Sequence, residues 1–552
     1  MSAAILVLAA LGAFLAGYLL YGGFVARRIG LEPERPTPAH TMRDGVDYVP
    51  AKPQILLGHH FSSIAGAAPI IGPIIAAVFG WVPVFLWILA GGIFMGAVHD
   101  FSALVASVRH QGRSIGEVID RRLGPGAKTL FLVFAWAALI LVIAVFVNAV
   151  AQTFHKVPQA GTASTLLIGS AVLFGLAVYR FRIPILPATL GGLVLIALTL
   201  VGGHFYPMRL SVTAWKLVLL GYIYVASVTP VWILLQPRDF LNSFLLYALL
   251  VAGVAGTLLV DPALHMKAWT GFETDLGPLF PILFVTVACG ALSGFHSLVA
   301  SGTTAKQLDS EAHARPIAMG AMLIESLLAV VALVTAAMLL PADYAGRIQP
   351  RNGGPIPIFA RGIAGFVHAA GGSFAFGLTF ASVAVAEFAL TSLDTATRIA
   401  RFAFQELAQP RGGSGGAWRS FRSLLAGNRF LATTVTVFFG GWLALSGSDR
   451  TIWPVFGAAN QLLAALAFLA VLVWMVHRGR KAGFLAVPTV FMFLVTLSAL
   501  GWEALHFAGK KNWLLAGISS LLALLALVLA FEALRVLVRS RKERVPSLPG
   551  EE

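Results

Sequence analysis

The chain has 552 residues, of which 58% are hydrophobic and only 11% charged, with a net charge of +15; an ordinary soluble domain carries about 25% charge. So little charge cannot solvate several water-faced domains, the apolar content excludes disorder, and a single cysteine excludes a disulfide scaffold. What remains is a polytopic membrane protein, and its basic residues fall in short runs between apolar stretches, a membrane-topology pattern that gives no reason to expect a nucleic-acid partner.

A helix needs about 20 apolar residues to cross the hydrocarbon core. In chain order, fifteen stretches read as spans: 4–25, 55–79, 82–107, 129–151, 163–179, 184–203, 216–235, 240–260, 279–300, 317–340, 372–395, 430–446, 452–476, 484–506 and 513–538. The first has no basic region before it and is followed by Arg27 and Arg28, so it reads as a membrane helix rather than a cleaved signal. Connections after odd-numbered spans hold most of the 39 lysines and arginines. The positive-inside rule therefore predicts the N-terminus outside and the C-terminus in the cytoplasm. The chain divides into a transmembrane region over 1–395, a linker over 396–429 containing QPRGGSGGAWRS, further helices over 430–538 and a tail over 539–552. No connection is long enough for a soluble catalytic module, so neither an enzyme nor a cofactor is expected.

Two spans are unlike the rest. The second, ILLGHHFSSIAGAAPIIGPIIAAVFG, combines Gly58, Gly66, Gly72, Pro69 and Pro73 with His59, His60, Ser62 and Ser63. The ninth, PILFVTVACGALSGFHSLVASGTTAKQL, combines Gly290, Gly294 and Gly302 with Ser293, His296, Ser297 and Ser301. Pro removes a donor and Gly weakens a helix by about 1 kcal/mol relative to Ala. Both spans are expected to unwind, which is tolerated at membrane depth only inside protein or beside a water-filled cavity. Paired broken helices point to the binding site of a secondary transporter, where half-helix N-termini favour an anion. The candidate substrate-binding residues are His59, His60, Ser62, Gly66, Ser293, Gly294, His296 and Ser301. The two spans are an odd number apart, hence oppositely directed, as an inverted repeat requires.

A carboxylate at midplane costs at least about 2.5–3.5 kcal/mol and needs a reason. Asp100, Glu325 and Glu387 lie inside spans, and Glu387, Thr391 and Asp394 share one helix face, with Arg398 four residues beyond Asp394. These five residues, Asp100, Glu325, Glu387, Thr391 and Asp394, are candidates for ion coupling, by proton or by Na⁺. An Asp394–Arg398 ion pair is the structural alternative for that stretch. Asn460 and Gln461 read equally as interhelical hydrogen-bonding residues. The histidines at 59, 60, 99 and 296 come with no HExxH or CxxC pattern, so no metal site is expected.

The stretch GHHFSSIAGAAPIIGPIIAAVFGWVPVFLWILAGGIFMGAVHDF resembles the signature of the carbon starvation protein A (CstA) family. The resemblance continues at RSIGEVI, FPILFVTVACGALSGFHSLVASGTTAKQLDSE, AMLIES, FALTSLDTATRIARFAFQEL and IWPVFGAANQLLAALAF. It implies an all-α inner-membrane transporter with a leucine-transporter-like core, of the amino acid–polyamine–organocation superfamily. It also implies import of pyruvate with protons, or of di- and tripeptides, during carbon starvation. In the leucine-transporter fold the broken helices are five apart; here they are seven apart, so either two helices are inserted or the repeat is larger. The sequence does not specify the oligomeric state.

Overall fold

The computed structural model describes residues 2–349, 354–410, 417–446 and 449–542, and is helical apart from one two-stranded hairpin, Glu273–Thr274 with Gly277–Pro278. The Gly/Ser core of the expected linker (411–416) and the end of the expected tail (543–552) lie outside these residues.

The main helices are α1 (Ala3–Ile29), α2 (Pro53–Ile64), α3 (Ala68–Phe79), α4 (Trp81–Arg109), α5 (Pro125–Lys156), α6 (Pro158–Arg180), α7 (Ile185–Phe205), α8 (Val212–Val228) and α9 (Leu235–Val260). There follow α10 (Leu279–Thr286), α11 (Gly294–Gly302), α12 (Glu311–Ala337), α13 (Pro355–Ala369), α14 (Phe374–Ala408), α15 (Arg429–Leu445), α16 (Asp449–His477), α17 (Gly483–Gly509) and α18 (Trp513–Lys542). Among the described residues, 11 helices are long and apolar enough to cross a membrane, or 12 with the bent pair α2–α3. The helices α8 and α15, at 17 residues each, are shorter than a full crossing.

Several limits depart from the sequence reading, each for a local reason. Helix α9 begins at Leu235 rather than 240, so a polar turn, Gln236-Pro237-Arg238-Asp239, is helical and buried. Helix α14 runs past the expected boundary at 395 to Ala408, because its polar residues there face protein partners instead of water. The connection 341–371 contains α13, whose buried side (Ile358, Phe359, Ile363, Phe366) packs on α9 and α14.

Both unusual spans are interrupted. Between α2 and α3 the axis turns by 42°. The kink falls just before Pro69, which sits in the first turn of α3 and has no N–H to continue the hydrogen-bond ladder of α2. Between α10 and α11 the chain is non-helical from Val287 to Ser293. The glycines allow very close packing here. A Cβ at Gly72 would lie 2.5 Å from the Thr286 carbonyl oxygen, and one at Gly294 would lie 2.2 Å from the Asn460 carbonyl oxygen.

The packing partners follow a pattern. Helix α2 lies on α9 as α11 lies on α16, and α3 lies on α12 as α11 lies on α4. Helices α5, α8, α14 and α15 pack in a ring of mutual contacts, while α6 and α7 form a hairpin against α9 and α14.

Candidate functional site

The two breaks bring buried polar side chains together in separate clusters. The first is built on α4, α11 and α12. His296, in the first turn of α11, places Nδ1 3.0 Å from Asp100 Oδ2 and Nε2 3.5 Å from Glu325 Oε2. The other Asp100 oxygen lies 3.0 Å from His99 Nδ1. All four side chains are buried, and neither Glu325 oxygen has a hydrogen-bond partner among the described residues. One imidazole therefore stands between two carboxyls, and no arginine or lysine among the described residues pairs with any of them.

The backbone beside this cluster is held by α16 and α4. Asn460 Oδ1 accepts from the Phe295 N–H at 2.9 Å and from the Ser293 hydroxyl at 3.2 Å, which caps the start of α11. Gln461 Nε2 donates to the carbonyls of Phe284 (3.3 Å), in the last turn of α10, and Leu292 (3.2 Å), within the break. The Trp87 indole donates to the Val287 carbonyl at 3.0 Å. A break in lipid leaves carbonyls and N–H groups that water would otherwise satisfy, and these three side chains take that role. Ser301 donates to the carbonyl one turn back, Ser297 O, at 2.7 Å, so its hydroxyl is used within its own helix.

The second cluster lies between α2, α8, α9 and α14. Arg238 reaches Asp394 and the Tyr222 hydroxyl from one guanidinium nitrogen, and Asp239 at 3.0 Å from another. Tyr222 also donates to Asp394 at 2.8 Å. His59 Nδ1 lies 2.6 Å from Asp239 Oδ2, and Ser62 donates to the Asp239 carbonyl at 2.9 Å. One helix turn further along α9, Asn242 Nδ2 donates to Glu387 Oε2 and to Thr391 Oγ1, both at 3.0 Å. Asp394 is thus paired across helices with Arg238, not with Arg398 as the spacing suggested; Arg398 turns to Asp47 at 2.6 Å.

His60 and Gly66 lie at the first break. His60 Nδ1 contacts Thr304 Oγ1 at 2.8 Å, and its buried Nε2 has no partner among the described residues. Ser392 donates to the Ser63 carbonyl at 2.9 Å, and a Cβ at Gly66 would lie 2.7 Å from the Ser392 hydroxyl. The predicted residues therefore divide. His296, Asp100 and Glu325 come together; His59, Ser62 and Asp394 meet around an arginine and an aspartate that the sequence reading left in a connection; Glu387 and Thr391 share Asn242. Among the described residues no three His, Cys, Asp or Glu side chains form a metal-holding group.

The ends of the bundle differ. On the side of the basic connections, Asp47 takes Arg398 at 2.6 Å and Arg401 at 3.0 Å, and Arg109 bridges Glu311 and Glu32 at 2.6 Å each. Burial pushes the Asp47 carboxyl up, and Arg401 and Arg398 more than offset this, so it stays below its ordinary range. At the other end a cavity of about 330 Å³ opens between α5, α13 and α14, lined by Asn148, Gln152, Lys156, Arg361 and Ser382 among others.

This is an all-helical membrane transporter fold built around two interrupted helices. It is shared with the solved manganese transporter of Eremococcus coleocola in complex with an aromatic bis-isothiourea substituted compound, at TM-score 0.50 and 12% identity, covering 90% of this chain and 99% of that one. The family described as carbon starvation protein CstA matches residues 2–352 and 347–499, and the chain belongs to it. Among its relatives, the peptide transporter CstA of Escherichia coli (strain K12) is 33% identical, over 93% of this chain and 82% of its own length. The pyruvate/proton symporter BtsT of the same organism is 31% identical, over 91% of this chain and 81% of its own.

Proposed function

We propose that the protein is a secondary active transporter of the bacterial inner membrane, importing a small carboxylate such as pyruvate with proton symport during carbon starvation. The observation that carries this reading is His296 standing between Asp100 and Glu325 at the first turn of a broken helix. Three titratable groups with no fixed cation among the described residues can share protons. The proton affinity of such a group changes strongly when water reaches it, because burial disfavours the charged form. Rearranging a half-helix that carries His296 would change that hydration, which links proton release to alternating access.

The substrate carboxylate would lie at the breaks, near Gly66 and near His60, whose buried Nε2 has no partner among the described residues. The start of α11 is the weaker anion site, since Asn460 already occupies the Phe295 N–H in its first turn. The Lys156 and Arg361 cations at the mouth of the open cavity favour approach of an anion. The packing pattern supports an inverted repeat of five elements, in which α2–α3, α4, α5, α8 and α9 correspond to α10–α11, α12, α14, α15 and α16. The hairpin α6–α7 would then be the two-helix insertion that sets the breaks seven spans apart. In this reading the N-terminus is outside and the basic connections and C-terminus are cytoplasmic.

Radiolabelled uptake into proteoliposomes, with proton and Na⁺ gradients imposed separately, tests the proposal. Concentrative pyruvate uptake on an inward proton gradient is expected, and Glu325→Gln should abolish it while binding persists. Uptake that follows only Na⁺ would transfer the coupling to the oxygens of Glu387, Thr391 and Asn242. The second reading is a di- or tripeptide transporter, favoured by a relative of that name; competition by dipeptides against labelled pyruvate separates the two.

A further inference from the structure

Glu503 plays no part in either cluster at the breaks. It lies on α17, is only 3% exposed, and its sole hydrogen bond among the described residues is from the Ser519 hydroxyl on α18, at 3.3 Å. No cation pairs with it among the described residues. A carboxyl left at membrane depth with one neutral donor is costly unless something else takes its charge.

It lines a second cavity of about 330 Å³, enclosed by α17, α10, α16 and the start of α3. The wall is mainly apolar and aromatic, with Val285, Phe456, Trp502 and Phe507. Its inner side reaches unwound residues of the second break, Ala288 and Cys289, and Ala68 at the first. Lys510 also lines the cavity and is exposed at the end of α17. Lys510 follows the last residue of α17, seven positions beyond Glu503, an axial rise of about 10 Å at 1.5 Å per residue, and both line the cavity.

The cavity thus presents an acid inside, an ammonium at its rim and apolar surface between them. That is the complement of a zwitterion with an apolar body whose charged ends lie about 7–11 Å apart, the reach of two or three extended residues. Trp502, stacked on His506 with ring centroids 4.6 Å apart, adds an aromatic face beside the acid, where an ammonium is further favoured. A small monocarboxylate has no group for Glu503, and an acyl chain has none for either end.

We propose that this cavity is a binding site for a short apolar peptide, with Glu503 taking the ammonium and Lys510 the carboxylate. The site is distinct from the clusters at the breaks and does not depend on which solute crosses the membrane.

Isothermal titration of the full chain in nanodiscs with the tripeptide Ala-Leu-Ala tests this. Saturable binding is expected. N-acetylation of the peptide, or Glu503→Gln, should weaken it at least tenfold; Lys510→Ala should weaken it about threefold and leave the affinity of the C-terminally amidated peptide unchanged. Gly66→Val, which obstructs the first break, should keep the peptide site while losing proton-driven uptake. No saturable heat, equal affinity for acetylated and free peptide, or loss of binding in Gly66→Val with retention in Glu503→Gln would each overturn the proposal. The acetylation arm uses the unmodified protein and stands even if Glu503→Gln fails to fold.

Discussion

The two buried clusters contain similar carboxylates and differ in what faces them. Around Asp394 and Asp239 stands Arg238, a cation that keeps its proton under all physiological conditions. Around Asp100 and Glu325 stands His296, the one side-chain type whose ordinary titration falls near neutrality. An arginine fixes the charge of its cluster and makes it a joint between helices α8, α9 and α14. A histidine lets the charge of its cluster vary. The difference separates a part that holds the bundle together from one suited to carry a proton.

The largest effect should come from breaking the fixed cluster. Arg238→Met leaves Asp394 and Asp239 buried without their cation, a loss of about 3–5 kcal/mol for one partner of a buried pair. Thermal melting in detergent should show a large fall, and adding Asp394→Asn should recover part of it. If Arg238→Met melts like the unmodified protein, the Arg238 cluster is not the joint described here. The corresponding change in the variable cluster, Glu325→Gln, should leave melting within a few degrees and reduce proton-driven uptake at least a hundredfold, about 2.7 kcal/mol in the coupled step. A reversed result, with stability lost at Glu325 and uptake lost at Arg238, would exchange the two assignments.

The variable cluster was the more legible in the sequence. Asp100, Glu325 and His296 each stand out as ionisable residues in apolar stretches, and the breakers around His296 mark the unwound segment. Their meeting could not be read, because Asp100 and His296 are 196 residues apart and no helical period links them. The fixed cluster was largely hidden. Pro237 and two adjacent charges made Gln236–Asp239 resemble a connection, and only the lack of a Gly or Ser turn between two apolar runs hinted at a helix start. Spacing also misled at Asp394, where an i,i+4 partner was available and a buried guanidinium on another helix won. The role of Asn460 and Gln461 depended on knowing which backbone groups the break exposes, which is a tertiary fact.

A smaller effect tests how the variable cluster is positioned. Asn460→Ala removes the cap from α11 and leaves the Phe295 N–H unpaired, at a cost of about 0.5–2 kcal/mol. Because His296 is in the first turn of that helix, the change should weaken uptake several-fold and shift its pH profile. Asn460→Asp, which keeps an acceptor, should restore the melting point more than the profile, since it adds a charge beside the cluster. An unaltered pH profile in Asn460→Ala would show that His296 is held by its carboxyl partners alone.

The smallest effect concerns a cation with neither kind of partner. Lys306 is buried beyond α11, its ammonium 3.3 Å from the centre of the Phe402 ring and 5.4 Å from that of Tyr48. No carboxylate among the described residues pairs with it directly. Burial is the main cause that pushes its ammonium down to about 8; Asp47 and Glu406 pull it back up, and Arg401 and Arg398 add to the fall. A lysine depressed below its unfolded value near 10.4 binds fewer protons when folded than when unfolded between those two values. Its unfavourable contribution is therefore full below about pH 8 and fades as the pH rises towards 10.4. Lys306→Met keeps the length and removes the charge, while losing an aromatic contact that offsets part of the gain. With the lost aromatic contact counted, the variant should be more stable than the parent by only about 0.5 kcal/mol at pH 7, and the advantage should shrink steadily in melts from pH 8 to 10. An advantage that stayed constant over that range would mean that Lys306 keeps its proton as firmly as Arg238 does, and that aromatic faces alone can replace the carboxylates of the fixed cluster.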